Sequence, residues 1–398
     1  MLSCCISAIP LWTGLACLIY YILDALWNFV QPKRIGEDNE AKTILITGCD
    51  SGFGYHTALD LSSAKCYILA GCLTKDGAYR LESDKKFNGK AFVMDVTKND
   101  DITDAVKLVE KETENKGLYA LINNAGIIRP SPIEWQTIEE MRRVMEVNFW
   151  GTVQVTKAFL PLLKKHGSSR IVNISSMAGR VLLGYSTSYC FSKYAVESFS
   201  DGLRYEMKPF GISVHLIEPG MYKTDILNPK TITNGLKKNW DETDEEMKEE
   251  YGEPYFNELS KRYEDLIEQI ASPKFHQVVS AIHNATLSYN ARARYVIGLD
   301  AHTLWMAIST FPTAVGDWIS SKVAAPIKPA VVLKREKRKS KPMECSFSEA
   351  INLSFTKRFR RKFRVSTLYP KNCKKKAKIR GRGSEYYHTS PFGLSPRR

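Results

Sequence analysis

The sequence lacks the residue patterns that bind metal ions or build disulfide frameworks. Its 398 residues include seven histidines, but no H-E-x-x-H motif and no cluster with metal-ligand spacing. The nine cysteines are odd in number and form no C-x-x-C pair, and several lie inside strand-like apolar runs. We therefore expect reduced, buried thiols, and neither a structural nor a catalytic metal ion.

The features of a cleaved signal peptide are also missing, since no basic residue precedes the first apolar segment. Residues 6–30 are almost wholly apolar, with Asp24 as the only charge. About 20 helical residues cross a hydrocarbon core, so residues 1–32 are predicted to form a transmembrane anchor; a buried core helix is the alternative. Lys33 and Arg34 follow the span and favour a cytosolic body.

An excess of positive charge is absent from most of the chain. Of the 57 Lys and Arg and 43 Asp and Glu, residues 334–398 hold 21 and 4, which leaves 36 basic and 39 acidic residues in 1–333. This basic tail has few bulky aliphatic residues and is predicted to be disordered. Anionic lipid could attract it, whereas nucleic acid suits a membrane-anchored chain poorly as a partner.

From Thr43 onward, short apolar strands alternate with helical stretches, which predicts an α/β fold with a doubly wound parallel sheet of the Rossmann type. The predicted strands are Thr43–Thr47, Cys66–Gly71, Ala91–Val96, Leu118–Ile122, Arg170–Ile174, Ile212–Ile217 and Arg294–Ile297. The predicted helices are residues 54–64, 101–116, 138–165 and 189–208. One domain, residues 41–300, accounts for these elements.

A glycine-rich turn follows the first predicted strand and opens the first predicted helix. Gly48, Gly52 and Gly54 lie in the sequence TGCDSGFG. In this position glycines allow a tight turn and let a dinucleotide pyrophosphate approach the helix N-terminus. The spacing is G-x-x-x-G-x-G, so it meets the usual G-x-G-x-x-G pattern only loosely.

Tyr189 and Lys193 are four residues apart, which places both side chains on one face of a helix. A neighbouring ammonium group favours the phenolate, and so lowers the tyrosine pKa toward the working range of an acid or base. Ser176, on the preceding loop, could hydrogen-bond the same substrate oxygen. The spacing predicts proton transfer to or from an alcohol; an ordinary amphipathic helix is the alternative.

These motifs together resemble the short-chain dehydrogenase/reductases, from about Thr43 to Gly298. The matching residues are TGCDSGFG at Thr47–Gly54, NNAG at Asn123–Gly126, Asn148, Ser176, Tyr189, Lys193 and EPG at Glu218–Gly220. The phrases AGCLTKDGA, VNFWGT, NISSMAGR, LRYEM and YGEPYF resemble the branch of retinol, hydroxysteroid and D-3-hydroxybutyrate dehydrogenases.

The resemblance implies a role for each matching residue. Tyr189 would be the acid/base, Lys193 would lower its pKa and hold the nicotinamide ribose, and Ser176 would orient the substrate oxygen. Asn148 would hold a water molecule that links Lys193 to solvent. The implied cofactor-binding residues are Gly48, Ser51, Gly52, Phe53, Gly54, Asp95, Asn123, Ala125, Gly126, Tyr189, Lys193, Pro219, Gly220 and Thr224.

The end of the second strand bears on the choice of cofactor. NAD-binding relatives often carry an acidic residue there, which binds the ribose 2′-hydroxyl. Residues 70–74 contain no acid, and Asp76 lies a few residues further on. Lys75 is the one nearby candidate for a 2′-phosphate, while Asp50 in the glycine turn opposes one. The sequence favours NAD over NADP.

The resemblance implies a membrane-anchored enzyme that oxidises or reduces a lipid-like alcohol such as retinol or a hydroxysteroid. D-3-hydroxybutyrate oxidation and a non-catalytic lipid-binding scaffold are the alternatives. The expected location is the endoplasmic reticulum membrane, with the catalytic domain in the cytosol, or else a mitochondrial membrane. A homodimer is compatible with the sequence.

Two segments are assigned to the substrate. Residues 221–292 are predicted to hold the substrate lid, and residues 301–330 to rest on the membrane or form the substrate entry, with a core helix as the alternative.

Outside these segments, Glu197 and Arg204 are expected on solvated helix faces. The apolar residues expected near a lipid alcohol are Phe149, Trp150, Leu182, Leu183, Tyr185 and Met221.

Overall fold

The computed structural model describes residues 42–182, 184–323 and 326–340. The chain divides into two compact units, one ending at Glu336 and one beginning at Lys337, and the sheet and the candidate site belong to the first. The predicted anchor at residues 1–32 lies outside the described residues, as does the predicted disordered tail from residue 341 onward.

Seven parallel strands form one sheet, as predicted. They are β1 Thr43–Thr47, β2 Tyr67–Cys72, β3 Gly89–Val93, β4 Ala120–Asn123, β5 Ser169–Ile174, β6 Ile212–Pro219 and β7 Arg294–Ile297. The strand order is β3-β2-β1-β4-β5-β6-β7, so the order reverses between β1 and β4. Ile44, Leu45 and Ile46 are fully buried on both faces of the central strand, as expected for a sheet covered by helices on either side.

The helices follow the strands in the chain. They are α1 Gly52–Ser63, α2 Lys75–Glu82, α3 Asn99–Glu112, α4 Ile138–Met145, α5 Thr152–His166, α6 Thr187–Met207, α7 Pro229–Glu242, α8 Glu245–Tyr251, α9 Glu253–Ile270, α10 His276–Leu287, α11 Met306–Thr310, α12 Thr313–Val323 and α13 Ala330–Ser340. Among the described helices, none combines the length and the apolar character that crossing a bilayer requires.

The sheet separates two apolar cores. One core joins the sheet to α1, α2 and α10, through residues such as Leu61, Leu81 and Ile282. The other joins it to α3, α5 and α6, through residues such as Val109 and Phe159. Each core buries the apolar faces of three helices, which confirms the doubly wound arrangement.

The bounds of some strands are shifted, since β3 is Gly89–Val93 instead of Ala91–Val96, and two helical segments differ more strongly from the sequence prediction. The single helix predicted at residues 138–165 is divided into α4 and α5 by a π-helical segment at Glu146–Gly151. Such π-helical turns interrupt the regular hydrogen bonding of a helix and are frequent at functional sites. The tail predicted to be disordered from residue 334 is helical as far as Ser340, because α13 ends there.

Candidate active site

A cavity of about 1190 Å3 opens at the carboxyl ends of the strands, where parallel sheets bind their ligands. The predicted site residues that line it are Gly48, Ser51, Gly52, Phe53, Asp95, Ala125, Gly126, Ser176, Tyr189, Lys193, Pro219, Gly220 and Thr224. Three other predicted site residues, Gly54, Asn123 and Asn148, are not part of the lining. The loops after β1, β3, β4, β5 and β6 thus converge on one space.

The glycine turn after β1 needs its glycines for two reasons. Gly48 has φ +70°, and a Cβ atom there would lie 2.8 Å from the Cα of Ala125. A Cβ atom on Gly54 would lie 2.3 Å from the carbonyl oxygen of Gly48. The turn is therefore folded against its own helix and against the loop after β4, so that side chains at these positions would force it open.

Asn124 joins the glycine turn to the end of β4. Its side-chain Nδ2 donates to the carbonyl oxygens of Thr47 (3.0 Å) and Gly48 (2.9 Å). In return, the Thr47 hydroxyl accepts hydrogen bonds at 3.1 Å from the backbone N–H groups of Asn124 and Ala125. No role was predicted for Asn124, although it is part of the NNAG motif. These contacts make it the residue that sets the shape of the turn.

Asn123, by contrast, points into the sheet. Its Nδ2 donates to Thr156 Oγ1 (2.9 Å) and to Asn173 Oδ1 (2.8 Å), and the residue is buried. Asn173 donates in turn to Ser200 Oγ on α6. Asn123 thus connects β4 with β5, α5 and, through Asn173, α6, and it supports the site from beneath the cavity.

The glycine turn and α1 have the features that a dinucleotide requires. Ser51 precedes the first turn of α1 and makes no side-chain capping hydrogen bond to that turn. An uncapped helix N-terminus presents N–H groups and a partial positive charge, which suit a pyrophosphate. Asp95, two residues after the end of β3, accepts hydrogen bonds from Thr97 through one carboxylate oxygen, Oδ1. These residues fit a nicotinamide dinucleotide, with the pyrophosphate on the turn and α1.

Tyr189 and Lys193 lie one turn apart near the start of α6, as the spacing predicted. Lys193 is buried, and its Nζ donates to the carbonyl oxygen of Ile174 at 2.9 Å. The same Nζ lies 5.7 Å from the centre of the Tyr189 ring. The end of β5 therefore fixes the ammonium group below the tyrosine.

Burial dominates the protonation of both groups. It raises the pKa of Tyr189 to about 12, although a hydrogen bond with Ser176 lowers it. Burial lowers the pKa of Lys193 to about 8, against the opposing effect of Glu197. The Tyr189 shift is opposite to the one expected from the sequence, because the loss of water around the phenolate outweighs the attraction of a cation in the protein alone.

Ser176 lies on the loop after β5, next to Tyr189. Its Oγ accepts a hydrogen bond from the N–H of Ala178 at 3.1 Å, which caps the short 3₁₀ helix Met177–Gly179. It also makes a long contact of 3.4 Å to the carbonyl oxygen of Pro219. The cap fixes the direction of the side chain, so Ser176 and Tyr189 present their hydroxyl groups to the same part of the cavity.

Asn148 lies in the π-helical segment and is buried. Its side chain exchanges hydrogen bonds with the backbone N–H (2.8 Å) and C=O (2.9 Å) of Ile127, and donates to Ser192 Oγ (2.9 Å). A Cβ atom on Gly126 would lie 3.4 Å from Asn148 Oδ1 and 3.7 Å from Lys193 Nζ. Gly126 therefore has both the amide of Asn148 and the ammonium group of Lys193 as neighbours.

A cluster of buried charges lies beside these residues. Glu218 on β6 is fully buried and is paired with Arg180 (2.7 Å) and with Arg294 of β7 (2.6 Å). Arg294 also contacts Glu197 and, at 2.6 Å, Asp201, both on α6. The expectation that Glu197 lies on a solvated face is wrong, because it is 8% exposed. We refer to these five residues as the charge cluster; it joins α6, β6, β7 and the loop after β5.

The far end of the cavity is largely apolar. Its wall includes Leu182, Tyr185 and Met221, which were expected near a lipid alcohol, and also Ile308 and Phe311. Phe149 and Trp150, which were expected there too, do not line it, and Leu183 lies outside the described residues. Helices α7 and α9 and the segment after β7 supply much of this part of the wall.

Helices α7–α9 and the loop residue Trp135 form a separate aromatic layer, which we call the outer layer. The Trp135 ring contacts the rings of Trp240 (4.8 Å), Tyr251 (5.2 Å) and Tyr255 (5.8 Å). Tyr263 donates to the carbonyl oxygens of Gly184 and Tyr185. This last contact attaches the outer layer to the loop before α6.

Asp300 is a second residue for which no role was predicted, and unlike Asn124 it belongs to no motif. Its Oδ2 accepts hydrogen bonds from the N–H of Met221 (2.9 Å) and from Trp305 Nε1 (3.1 Å). A Cβ atom on Gly220 would lie 2.3 Å from the Asp300 carboxylate. Asp300 thus holds the loop after β6, and its distance along the chain from that loop explains why no local pattern revealed it.

Comparison with known sequences identifies a family model and several relatives that match this chain. The sequence model of the short chain dehydrogenase family matches residues 42–234. The mouse short-chain dehydrogenase/reductase family 9C member 7 is 40% identical over 298 residues, which cover 75% of this chain and 94% of the relative. Rat retinol dehydrogenase 7 is 39% identical (76% and 97% covered), and human 17-beta-hydroxysteroid dehydrogenase type 6 is 35% identical (78% and 97% covered).

Solved structures support the fold. A short chain dehydrogenase/reductase from Burkholderia phymatum in complex with NAD has a TM-score of 0.58 at 17% identity, covering 70% of this chain and 95% of the other. A short chain dehydrogenase from Burkholderia cenocepacia in complex with NADP has a TM-score of 0.52 at 22% identity, with 70% and 98% covered. At these identities the likeness concerns the fold.

Proposed function

Because this chain belongs to the short-chain dehydrogenase family, in the branch of retinol and hydroxysteroid dehydrogenases, we propose that it interconverts a retinoid or steroid alcohol with the aldehyde or ketone. Family membership makes it an NAD(P)-dependent alcohol dehydrogenase. The observation that carries the choice of substrate is the cavity, which joins Ser176, Tyr189 and Lys193 to an apolar far end. A lipid alcohol needs both parts.

In the proposed mechanism, Tyr189 is the group that exchanges a proton with the substrate oxygen. In oxidation, the Tyr189 phenolate takes the proton of the substrate hydroxyl; the bound nicotinamide would supply the redox chemistry, by accepting the hydride from the carbon that carries this hydroxyl. Ser176 donates a hydrogen bond to the substrate oxygen and holds it beside Tyr189. In reduction, Tyr189 returns the proton to the carbonyl oxygen.

Lys193 is proposed to make Tyr189 a usable base. Its pKa of about 8 leaves it mostly charged at neutral pH, and a positive charge close to a phenol lowers the pKa of the phenol. The Tyr189 pKa of about 12 must fall before the phenolate is populated, so the cationic surroundings are essential. Asn148, which like Lys193 lies beside Gly126, is proposed to hold the water molecule through which the proton reaches solvent.

NAD is proposed as the preferred cofactor over NADP. The support comes from charge, because Asp50 and Asp95 both line the nucleotide end of the cavity and would oppose a 2′-phosphate. The remaining cofactor contacts are proposed as the family resemblance implies them, with the pyrophosphate turn at Gly48, Gly52 and Gly54, and the nicotinamide amide near Thr224.

We further propose that the enzyme acts at a membrane, in the endoplasmic reticulum with the catalytic domain in the cytosol or, alternatively, at a mitochondrial membrane. The segment proposed to contact lipid is 301–330, in which Phe311, Val315 and Trp318 are exposed. Phe311 also lines the cavity, so an apolar substrate could enter from the bilayer beside it. Residues 1–32 are proposed as the anchor, and homodimer formation is compatible with this arrangement.

The test is NAD(P)H production by the full chain reconstituted into liposomes. All-trans-retinol, a 3α- and a 17β-hydroxysteroid and D-3-hydroxybutyrate are each offered with NAD or NADP. We expect turnover of a lipid alcohol and a higher rate with NAD. Turnover of hydroxybutyrate alone would contradict the lipid substrate, and no turnover with any pair would support the non-catalytic scaffold.

One observation favours the hydroxybutyrate alternative. Arg143 and Arg262 both line the cavity, and a carboxylate substrate needs such a cation. Arg262 is paired with Glu258 on the same helix at 2.7 Å, which lowers its availability. Substrate competition decides between the two, since a hydroxy acid would inhibit retinol or steroid oxidation only if it enters the same cavity.

A further inference from the structure

Tyr185, on the loop before α6, has an unusual backbone conformation. Its φ is +54°, in the left-handed region that a bulky residue seldom adopts. Two hydrogen bonds hold its carbonyl oxygen, one from the backbone N–H of Ser131 (2.7 Å) and one from the Tyr263 hydroxyl (3.0 Å). Ser131 belongs to the loop after β4, and Tyr263 belongs to α9. Residues in strained conformations cluster at functional sites, where the surrounding structure holds them in place.

The Tyr185 hydroxyl is paired with the hydroxyl of Tyr255 on α9. Tyr255 donates to the Tyr185 oxygen at 3.3 Å. Tyr255 is buried and does not line the cavity. A phenol has one hydroxyl hydrogen, and a buried donor that is left unpaired is costly, so burial fixes the direction of this hydrogen bond. Burial, and then the hydrogen bond with Tyr185, raise the pKa of Tyr255, as expected for the donor of the pair.

Tyr185 itself lines the cavity, and the pair does not use its hydroxyl hydrogen. No oxygen in the described part of the chain accepts this hydrogen. The wall around Tyr185 is apolar, because the residue packs against a cluster that includes Met221 and Leu259, both of which also line the cavity. In a mostly apolar pocket, the few polar groups that are held in place orient the ligand. Tyr185 thus presents a hydrogen-bond donor within an apolar wall.

We infer that Tyr185 selects lipid alcohols that carry a second oxygen atom away from the reacting carbon, by donating a hydrogen bond to that oxygen. The inference rests on the proposed dehydrogenase function and deepens it by narrowing the substrate class. Retinol has one oxygen atom, which the proposed reaction places beside Ser176 and Tyr189. A hydroxysteroid with a further keto or hydroxyl group has a second oxygen for Tyr185.

The loss of water explains why the second oxygen should matter. In the free protein, water can accept the hydrogen of the Tyr185 hydroxyl. A ligand that displaces this water without offering an oxygen loses the hydrogen bond, and its affinity falls. A ligand with an oxygen at this point restores the bond, and the fixed backbone of Tyr185 means that little conformational freedom is lost in making it.

The test compares steroids that differ only in the second oxygen. Androsterone is paired with 5α-androstan-3α-ol, and dihydrotestosterone with 5α-androstan-17β-ol. For each steroid, kcat/KM is measured with NAD for the full chain in liposomes, with retinol alongside. We expect the wild type to prefer the steroid with two oxygens by about tenfold in at least one pair. In Tyr185→Phe, which keeps the ring and removes the donor, this preference should disappear.

Tyr255→Phe is the matched control, and NADH binding measured by calorimetry checks that both variants are folded. Tyr255→Phe breaks the same hydroxyl pair but leaves the Tyr185 hydroxyl in the cavity wall, so the preference should stay within about threefold of the wild type. An equal loss of preference in the two variants would overturn the inference, because the pair would then only support the wall. Two results for the wild type would overturn it without any substitution, namely no preference in either pair, or turnover of retinol but of no steroid. Turnover of no alcohol at all would instead contradict the proposed function.

Discussion

The carboxyl edge of the sheet and the outer layer bound the same cavity, yet they are stabilised in different ways. At the sheet edge, amides, hydroxyls and the charge cluster hold each reacting group through directed contacts, such as the bond between Lys193 and Ile174. In the outer layer, aromatic rings pack around Trp135, and tyrosine hydroxyls reach main-chain carbonyls. Ring packing has less directional demand than ion pairs and amide hydrogen bonds.

This difference indicates a separate role for each region, proton transfer at the sheet edge and enclosure of the substrate in the outer layer. A proton transfer needs atoms held at hydrogen-bond distance, which the sheet edge provides through buried polar contacts. A lipid substrate needs a closed apolar wall, whose exact side chains matter less. We therefore expect substitutions at the sheet edge to change the rate, and substitutions in the outer layer to change substrate binding and local stability.

Tyr189→Phe should give the largest effect and separates chemistry from stability. Removal of the hydroxyl deletes the proposed acid/base, so kcat should fall about 10³-fold, while thermal stability and NADH binding change little. Tyr205→Phe is the control, because Tyr205 lies on the same helix and is 86% exposed. Steady-state kinetics and calorimetry measure the two quantities. Unchanged kcat in Tyr189→Phe would contradict the assignment of Tyr189 as the acid/base.

Trp135→Ala should affect the outer layer first. Removing the central ring from a buried aromatic cluster typically costs about 3–5 kcal/mol, and the loss should fall on α7–α9. Hydrogen exchange measured by mass spectrometry should show faster exchange there, with the β1–α1 region unchanged and NADH binding retained. Ile133→Ala, two residues away and exposed, should behave like the wild type. Loss of protection throughout the sheet would show that the two regions unfold together.

His215 should make the sheet sensitive to acid. Burial lowers its pKa to about 4, and its ring contacts the carbonyl oxygen of Arg292 at 2.6 Å. The unfolded chain binds a proton near pH 6.5 and the folded chain does not, so stability is lost as the pH falls from 6.5 to 4, by about 3 kcal/mol. Urea unfolding of His215→Asn should show a free energy of unfolding that changes less with pH over this range. His276 is exposed, so His276→Asn should keep the wild-type dependence of this free energy on pH.

Tyr263→Phe should give the smallest change in stability, and it should alter the dependence of stability on pH in alkali instead of in acid. Burial raises the Tyr263 pKa above its usual value near 10. The unfolded chain therefore loses its proton first, and stability falls as the pH rises above 10. The variant should be less stable by about 1 kcal/mol at pH 7, since the hydrogen bond that the hydroxyl shares between two carbonyl oxygens is lost, but should lose less stability in alkali. Tyr289→Phe, at an exposed position, is the control; an equal alkaline slope in all three proteins would contradict this assignment.

The sequence predicted the sheet edge much better than the outer layer. The glycine turn, the ends of the strands and the Tyr189–Lys193 pair are local patterns, and their periodicity and spacing are readable within a few residues. The roles of Asn124 and Asp300 depend on loops that meet only in the folded sheet. Glu197 was misplaced because a helix pattern alone does not reveal that Arg294, 97 residues later, would compensate its burial. The aromatic residues of the outer layer come from a loop and three helices, and no local pattern predicts how they pack.

The position of Arg294 on β7 has a consequence for biosynthesis. A ribosome makes Glu197 and Glu218 well before it makes Arg294. Glu218 can pair with Arg180, which is made earlier, whereas the ion pair of Glu197 is with Arg294. Burying Glu197 without Arg294 is costly, and the nascent chain is therefore expected to keep this part of the sheet open. A transcript that ended before residue 294 would encode every residue proposed for the chemistry, including Tyr189 and Lys193. The protein made from it would lack the cation that compensates the burial of Glu197 on the same helix.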